Sequence, residues 1–315
     1  MFLMKRKSIY LCSLLACTLI ACGPKDKGDG QTLYSGEITI AVDETLKPIV
    51  EEELQVYQAL TPEATVTPIY CSEVEAINLL IKDSVRLVIA NRSLTDKEVA
   101  SFNARKFFPE SIRFAVGGIA LITNKQNKDT LISVHQFKDI LTGKITKWSE
   151  LDKSSTFGEM QVVFDNPNSG TIRYAIDSIC QGGQLSQGLK ALNRNEDVID
   201  FVSKNPDALG VIGVNWIGNA ADSTRLTFNE SVNVMSVSYS VRPDEENSRK
   251  PYQAYLALKE YPLTHDIFIL INDPRMALPT GFMTFLTSDK GQRIVLKSGL
   301  VPATQPVRLV TVKDE

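Results

Sequence analysis

The sequence predicts an α/β fold built on an open sheet, because β-type and helical patterns alternate along the chain. Residues 37–42 form a β-type apolar run, and apolar residues recur at helical spacing over 46–57. Residues 64–70 repeat the strand pattern, and Ser72 precedes a second helical pattern. Strands and helices that alternate at this spacing are typical of parallel sheets covered by helices. Ligands of such sheets bind beyond the carboxyl ends of the strands.

A third strand is predicted at residues 85–90, whose nearly continuous apolar character indicates burial on both faces. The run ends at Asn91, and a polar helix is predicted from Asp96. Two extended runs, 111–116 and 119–124, then flank Gly117 and Gly118. The two glycines mark either a crossing of the chain between two lobes or only a β-bulge.

A helix start is predicted at Ser133, because Ser133 and Gln136 have the spacing of a capping box. The helical pattern then continues to Gly143, which fits the left-handed position just beyond a helix end. His135 lies in the first turn and is expected to be exposed. The later predicted elements are a strand at 161–164, a helix at 198–204, strands at 209–214, 232–241 and 267–271, and helices at 281–286 and 289–298.

The loop after residues 161–164 has the composition of an anion site. Ser169, Gly170 and Thr171 open a helix, where backbone N–H groups lack helical partners and the helix dipole is positive. Two hydroxyls beside such groups suit an oxyanion. The alternative is an ordinary capped helix, since cap residues are common. Thr45, Ser72 and Arg92 also follow predicted strands, so the sheet topology would bring all of them to one crevice.

The chain begins with the pattern of a cleavable leader. Basic residues 5–7 precede an apolar run that is too short to span a membrane stably as a mature helix. The run ends at Leu19-Ile20-Ala21-Cys22, which resembles the lipobox of a bacterial lipoprotein signal peptide. We expect residues 1–21 to be removed, Cys22 to carry a lipid and residues 22–35 to form a tether. A plain secretory signal with an incidental cysteine is the alternative.

The remaining composition excludes several classes of function. The chain has 315 residues, 43% of them apolar and 23% charged, which is enough for one large or two medium domains. Loss of three leader cations would change the net charge from −3 to −6, so no nucleic-acid partner is expected. Only two histidines are present, which excludes a multi-histidine metal site. After cleavage and lipidation of Cys22, only Cys71 and Cys180 remain as thiols; they could pair, but two independent buried thiols are the preferred interpretation.

Several segments, in their order along the chain, resemble the phosphate-binding periplasmic proteins of ABC transporters. The resemblance covers roughly residues 37–302. It implies a type II periplasmic-binding-protein fold, in which two α/β lobes close on a ligand between them. We expect lobe 1 to comprise 36–116 with 262–315, and lobe 2 to comprise 117–261. The segments that carry the resemblance are 116–122 with Asn124, 137–143 with Trp148 and Leu151, 169–171, 208–213, 261–263, Gly291-Gln292 and 299–302.

The resemblance also implies the residues that hold the anion. They are Thr45 with the backbone N–H of Leu46, Ser72, and the loop Ser169, Gly170 and Thr171. Two positions depart from the family pattern. Many members have an aspartate where this chain has Asn91 beside Arg92, and an arginine where it has Asp165.

We therefore hypothesise that two charges have exchanged lobes. Asp165 would accept the proton of monohydrogen phosphate and Arg92 would be the cation, with Arg173 in reserve. The alternative is that Asp165 only turns the loop and Arg92 is solvated.

The functional prediction is a lipid-anchored solute-binding protein of the cell envelope, facing the periplasm or the cell exterior. It would be a monomer without cofactor or metal that delivers phosphate, or a similar tetrahedral oxyanion, to an ABC transporter permease. An enzyme is not expected, because Pro167 and Thr171 stand where a nucleophile elbow at Ser169 requires glycines, and no Walker lysine is present. The alternative is a lipoprotein of the same fold with another ligand, or with a role in sensing or assembly.

Overall fold

The protein's structure, a computed structural model, describes residues 30–219 and 227–305. The expected signal peptide, the lipidated Cys22 and most of the tether lie outside these residues, as does most of the polar segment near residue 220. Within the described residues, no helix is long and apolar enough to cross a membrane.

The first part of the fold is a parallel three-stranded group. β1 (Gly36–Asp43) lies between β2 (Ala64–Cys71) and β3 (Leu87–Ala90) and is parallel to both. Because the strands are parallel, their carboxyl ends lie at one edge of the group. We call the part built on these strands the first lobe. Its helices are a 3-10 turn at Glu44–Leu46, α1 (Lys47–Leu60), α2 (Glu73–Ile81) and α3 (Asp96–Ala104).

A second parallel group is formed by β6 (Gln161–Phe164), β7 (Lys190–Ala191) and β8 (Ala208–Gly213), with β6 in the middle. We call the part built on it the second lobe. Its helices are α4 (Val134–Leu141), α5 (Trp148–Leu151), α6 (Gly170–Tyr174), which continues as a π-helical turn at Ala175–Ile179, and α7 (Asn195–Lys204).

Two antiparallel strands, β4 (Glu110–Asn124) and β12 (Thr264–Ile271), connect the parallel groups into one sheet of order β2-β1-β3-β12-β4-β8-β6-β7. β4 pairs with β12 through its first half and with β8 through residues 119–123. The backbones come close at the change of partner, where the Ile119 N–H donates to the Leu263 carbonyl at 2.8 Å. A Cβ on Gly118 would lie 2.7 Å from that carbonyl oxygen, so this approach requires glycine.

The remaining elements cover the sheet or extend it. β9 (Val232–Val234) and β13 (Val301–Pro302) pair with β4, and β5 (Leu131–Ser133), β10 (Ser236–Ser238) and β11 (Ser248–Arg249) form a small separate sheet. The last helices are α8 (Gln253–Ala257), α9 (Leu278–Thr287) and α10 (Asp289–Lys297), after a 3-10 turn at Val214–Trp216.

The alternating α/β prediction is confirmed, and most element bounds agree within a few residues. The capping box at Ser133 forms in both directions, and Gly143 has the positive φ of +79° expected beyond a helix end. The runs around Gly117 and Gly118 are one continuous strand. The single long strand predicted at 232–241 is wrong, because the chain stops pairing with β4 after Val234 and pairs with β5 from Ser236.

The two cysteines are independent thiols, as preferred from the sequence. Cys180 is buried, whereas Cys71 is only half-buried. His135 is exposed on the first turn of α4, as expected.

Candidate ligand site at the strand ends

The carboxyl ends of strands from both lobes meet at one place in the fold. Asp43 is the last residue of β1, Asn91 follows β3 and Asp165 follows β6. All three side chains are buried, and Asp43 and Asp165 are fully inaccessible to solvent. Buried polar groups of this kind need hydrogen-bond partners, and the partners define the chemistry of the site.

Asn91 contacts four residues of three different segments through its own polar atoms. Its Nδ2 donates to Asp43 Oδ2 at 2.9 Å and to Thr45 Oγ1 at 2.7 Å. Its backbone N–H donates to Glu73 Oε2 at 3.0 Å, and its Oδ1 lies 2.9 Å from Nε2 of His265. An aspartate here would offer no amide donor to the Asp43 carboxylate, so the asparagine and Asp43 fit each other.

Asp165 accepts hydrogen bonds from the helix-start loop that follows it. Ser169 Oγ donates to Asp165 Oδ1 at 2.7 Å, and the Thr171 hydroxyl donates to the same oxygen. The two hydroxyl oxygens are 2.6 Å apart. Asn195 Nδ2 approaches the other carboxylate oxygen at 3.3 Å. In this structure, the Asp165 carboxylate therefore accepts from the two hydroxyls that were predicted to bind an external anion.

Asp43, in the first lobe, also accepts a hydrogen bond from the turn that follows its strand. The backbone N–H of Thr45 donates to Asp43 Oδ1 at 3.0 Å, so the carboxylate caps the turn that precedes α1. A residue with a side chain could not replace Gly170 opposite it. A Cβ there would lie 2.7 Å from Asp43 Oδ2 and 2.6 Å from Asn91 Nδ2. The loop of the second lobe thus packs directly on Asp43 and Asn91.

Direct hydrogen bonds also join the lobes around this contact. Arg173, in α6, donates to the Glu73 carboxylate through Nε and Nη2, and to the Asn91 carbonyl at 3.0 Å. Asn215 and Trp216, just after β8, each donate to the Thr45 carbonyl at 2.8 Å. The Arg173 guanidinium provides the only ion pair to Glu73 shorter than 3.8 Å among the described residues.

The site has more acidic than basic groups. Burial, and then the charges of Glu73 and Asp165, raise the pKa of Asp43 well above its usual value. Burial raises the pKa of Asp165, and burial with the nearby Asp165 and Glu196 raises the pKa of Glu44 to about 7. Burial, and then the Arg173 charge, lower the pKa of His265 to about 3, so this imidazole is neutral at physiological pH.

The other residues predicted to hold an anion lie in the first lobe. Ser72 Oγ caps α2 by accepting from the Glu75 N–H at 3.3 Å. Leu46 is buried at the start of α1. Arg92 forms two hydrogen bonds of 2.8 Å with Glu98 and lies 3.8 Å from Glu73, so its charge is directed mainly at α3. Thr45, Asp165, Ser169, Gly170 and Thr171 meet at the lobe contact, whereas Ser72 and Arg92 engage neighbours within the first lobe.

Sequence reasoning did not single out several residues of the site. Asp43 follows the predicted first strand and Glu73 lies at the start of the helix predicted after Ser72, but neither was assigned a role. Asn195, Asn215 and Trp216 were not considered. A usable signal existed for most of them, since they adjoin the carboxyl ends of strands. No sequence pattern pointed to His265, which reaches Asn91 only because β12 lies beside β3 in the sheet.

The site offers acceptors and hydroxyls rather than a metal cage. Among residues 30–219 and 227–305, no group of three or more His, Cys, Asp or Glu side chains is arranged to hold a metal ion. The geometry brings donors and carboxylates of two lobes together.

Comparison with known families decides the classification. The family model described as a PBP superfamily domain matches residues 27–290, which is most of the chain. The chain belongs to the PBP superfamily. The two-lobe periplasmic-binding-protein fold predicted from the sequence is thereby confirmed, together with the resemblance on which it depended.

Individual members of the superfamily share the fold at low identity. The phosphate-binding protein PstS of Bacillus subtilis is 23% identical over 96% of this chain and 96% of its own length. PstS of Borreliella burgdorferi is 23% identical, covering 84% of this chain and 89% of its own. A substrate-binding protein from Clostridium perfringens, solved with bound phosphate, superposes with a TM-score of 0.72 and 21% identity, covering 85% of this chain and 100% of its own.

Proposed function

We propose that this PBP superfamily member is a solute-binding protein that captures phosphate, or a similar tetrahedral oxyanion, between its lobes. The observation that carries the proposal is the contact of the Ser169–Thr171 loop with the strand ends of the first lobe, made through Gly170 against Asp43 and Asn91. Relatives named phosphate-binding protein, matched along most of the chain, support the choice of ligand. Catalysis is not part of the proposal.

We propose that the ligand-binding cycle uses opening and closing of the lobes, with 36–116 and 262–315 in one and 117–261 in the other. Groups of both lobes would contact the anion: Thr45, Leu46 and Ser72 from the first, and Ser169, Gly170 and Thr171 from the second. A ligand that contacts both lobes favours the closed state by its differential affinity. Arg173 takes the place proposed for Arg92 as the cation nearest the loop, because it lies in the helix that the loop opens, whereas Arg92 is directed at Glu98 of α3.

Delivery to a membrane permease and anchoring through a lipid on Cys22 complete the proposal. The basic start, short apolar run and Leu19-Ile20-Ala21-Cys22 segment support the anchor. The protein would act at the cell envelope, facing the periplasm or the exterior, as a monomer. Mass spectrometry of the membrane fraction tests this point: we expect residues 1–21 to be missing and acyl chains on Cys22. A membrane-extracted chain with an unmodified Cys22 would contradict it.

Thermal unfolding with phosphate, sulfate, molybdate and organic phosphates tests the ligand. A bound anion at about 100 times its dissociation constant should raise the free energy of unfolding by ~2.7 kcal/mol. We expect phosphate to stabilise the parent protein and Ser101→Ala, an exposed control. A Thr171→Val variant should bind at least about tenfold more weakly, since one hydroxyl contact is worth about 1.5 kcal/mol. Stabilisation by none of these anions between pH 5 and pH 8 would contradict the proposal.

A second candidate is a protein of the same fold with a different ligand or with a role in sensing or assembly. It is favoured by the two internal carboxylates, because Asp43 and Asp165 use donors that an oxyanion would need. A neighbouring permease and ATPase gene would favour uptake, whereas binding of a non-anionic solute in the same thermal screen would favour the second candidate.

A further inference from the structure

The hydroxyl hydrogens of the Ser169–Thr171 loop are limited in number. Each hydroxyl has one hydrogen to donate. Ser169 donates its hydrogen to Asp165 at 2.7 Å, and Thr171 donates to the same carboxylate oxygen. While Asp165 is ionised and accepts both, neither hydroxyl has a hydrogen left for another anion.

The charges around Asp165 also disfavour the binding of an anion while Asp165 is ionised. Asp43 and Glu44 face it from the first lobe, and both raise the cost of a further negative charge. The neighbouring cations are paired elsewhere: Arg173 with Glu73, Lys47 with Glu196 at 3.5 Å, and Arg194 with Asp197 at 2.8 Å. Within the described residues, Asp165 itself has no ion pair. A divalent anion that entered beside the ionised carboxylate would meet uncompensated like charges in a buried place.

We propose that an oxyanion enters this site together with a proton that is taken up by Asp165. The inference rests on the proposed function, since it concerns the same loop and the same class of ligand. It assigns Asp165 as the residue whose protonation makes the loop hydroxyls available to the anion.

One proton reverses the direction of the hydrogen bonds in the cluster. A neutral Asp165 donates from its carboxyl O–H to Ser169 Oγ, which remains an acceptor for the Ile172 N–H at 3.3 Å. Ser169 can then donate to Thr171 across 2.6 Å, or directly to the ligand, and the Thr171 hydrogen is directed at the ligand as well. The proton comes from solvent and remains on the carboxyl group, so no bond to the anion is made or broken.

The burial of the site favours this protonation. Asp165 is fully inaccessible to solvent, and its burial raises the pKa of the carboxyl group. An arriving anion raises that pKa further, because a like charge favours the neutral form. Above the pKa of free Asp165, anion affinity should therefore fall tenfold per pH unit for one linked proton.

Calorimetry of anion binding to the parent protein and to Asp165→Asn tests the inference. The amide cannot take up a proton, and its NH2 group can donate to Ser169 Oγ as the neutral carboxyl group would, so the loop hydroxyls remain available to an anion. The same anion is titrated in buffers of different ionisation enthalpy, which reports the protons taken up per anion. We expect the parent to take up about one proton more than the variant. Since the protonation of phosphate itself cancels in this comparison, the difference belongs to Asp165.

The pH dependence provides the second measurement. The ratio of parent to variant affinity should fall about tenfold per pH unit in the alkaline range, and Asp200→Asn, an exposed carboxylate on α7, should follow the parent. Binding by both proteins with equal proton uptake would overturn the inference alone. Binding by neither overturns the proposed function as well. If Asp165→Asn does not fold, the parent decides: uptake equal to the change in protonation of phosphate itself overturns the inference, and a larger uptake supports it.

Discussion

At the residue scale, the contact between the lobes depends on the amide of Asn91. Its amide donates to Asp43 and Thr45, and its backbone groups bond to Glu73 and Arg173. Nearly every polar atom of the residue is therefore used. Because Asp43 supplies the carboxylate at this place, a second carboxylate at position 91 would create repulsion instead of a hydrogen bond. The amide at Asn91 and the acid at Asp43 are best understood as a matched pair.

Glu53 is a second buried acid, far in sequence from the loop and without a hydrogen-bond partner in the described residues. It lies on the inner face of α1, is fully inaccessible to solvent, and both of its carboxylate oxygens lack partners. Burial, with a contribution from Glu52, raises its pKa to about 9. The carboxyl group is therefore neutral in the folded protein at pH 7, whereas it ionises in the unfolded chain.

We expect Glu53→Gln to stabilise the protein at pH 8. Below about pH 4.5 both states carry a neutral Glu53, so its full contribution to stability is present there. As pH rises towards 9, only the unfolded state loses the proton, and stability falls by roughly 1.4 kcal/mol per pH unit. A glutamine removes this loss, which should add about 2–5 kcal/mol at pH 8 and little at pH 4. Urea unfolding at the two pH values measures the difference.

Glu51→Gln, an exposed acid on the same helix, serves as the control and should change stability little at either pH. An equal effect of the two substitutions would show that the net charge of α1, rather than the burial of Glu53, controls the pH dependence.

At the scale of elements, α9 depends on a glycine at a contact with the chain just before β1. A Cβ on Gly281 would overlap the Leu33 carbonyl oxygen and lie 2.8 Å from its carbonyl carbon. The same helix presents Phe282 and Phe285 to Tyr57 of α1. The close approach at Gly281 thus positions an aromatic contact between two helices.

Gly281→Ala should therefore destabilise the protein by about 1–3 kcal/mol, because the segment around Leu33 or the helix itself must move. Gly158→Ala is a matched control: its nearest neighbour would be Asp207 Oδ1 at 3.9 Å, which is ordinary contact. Thermal unfolding of the two variants compares them. A Gly281→Ala variant as stable as Gly158→Ala would mean that the Leu33 segment contributes nothing to the packing of α9.

The elements of the fold differ in how well the local sequence predicts them. Local signals such as the capping box at Ser133 and the apolar run of β3 were sufficient, because the relevant contacts lie within a few residues. The segment after Val234 could not be predicted in this way. It changes from β4 to β5 as its partner, and partner choice depends on strands that are distant in sequence.

At the scale of the whole molecule, Arg173 is the strongest charged link between the lobes. Its guanidinium bonds to Glu73, which is almost fully buried, and to the Asn91 carbonyl. Removing the arginine would leave Glu73 buried without its main cation, a change that costs about 3–5 kcal/mol when the structure cannot relax. Separation of the lobes is a relaxation available here, since it exposes Glu73 to water.

We expect Arg173→Ala to open the protein rather than unfold it. In phosphate-free buffer, small-angle scattering should give a larger radius of gyration than for the parent, with a small change in melting temperature. Arg194→Ala removes an exposed arginine that precedes α7 and pairs with Asp197 in its first turn, and it should leave the scattering unchanged. An Arg173→Ala variant with the parent's radius of gyration would show that the other inter-lobe hydrogen bonds keep the lobes together.

Patterns within the chain were enough to predict the alternating α/β fold, the order of the elements and the loop at Ser169–Thr171. These features depend on periodicity, turn residues and caps, all of which are local. The partners of the polar side chains required the tertiary structure: Asp165 binds its own loop, Asp43 caps the Thr45 turn, and Arg173 reaches Glu73 across the lobes. Burial and distance between separate segments decide which charge compensates which, and neither quantity is encoded in any single stretch of sequence.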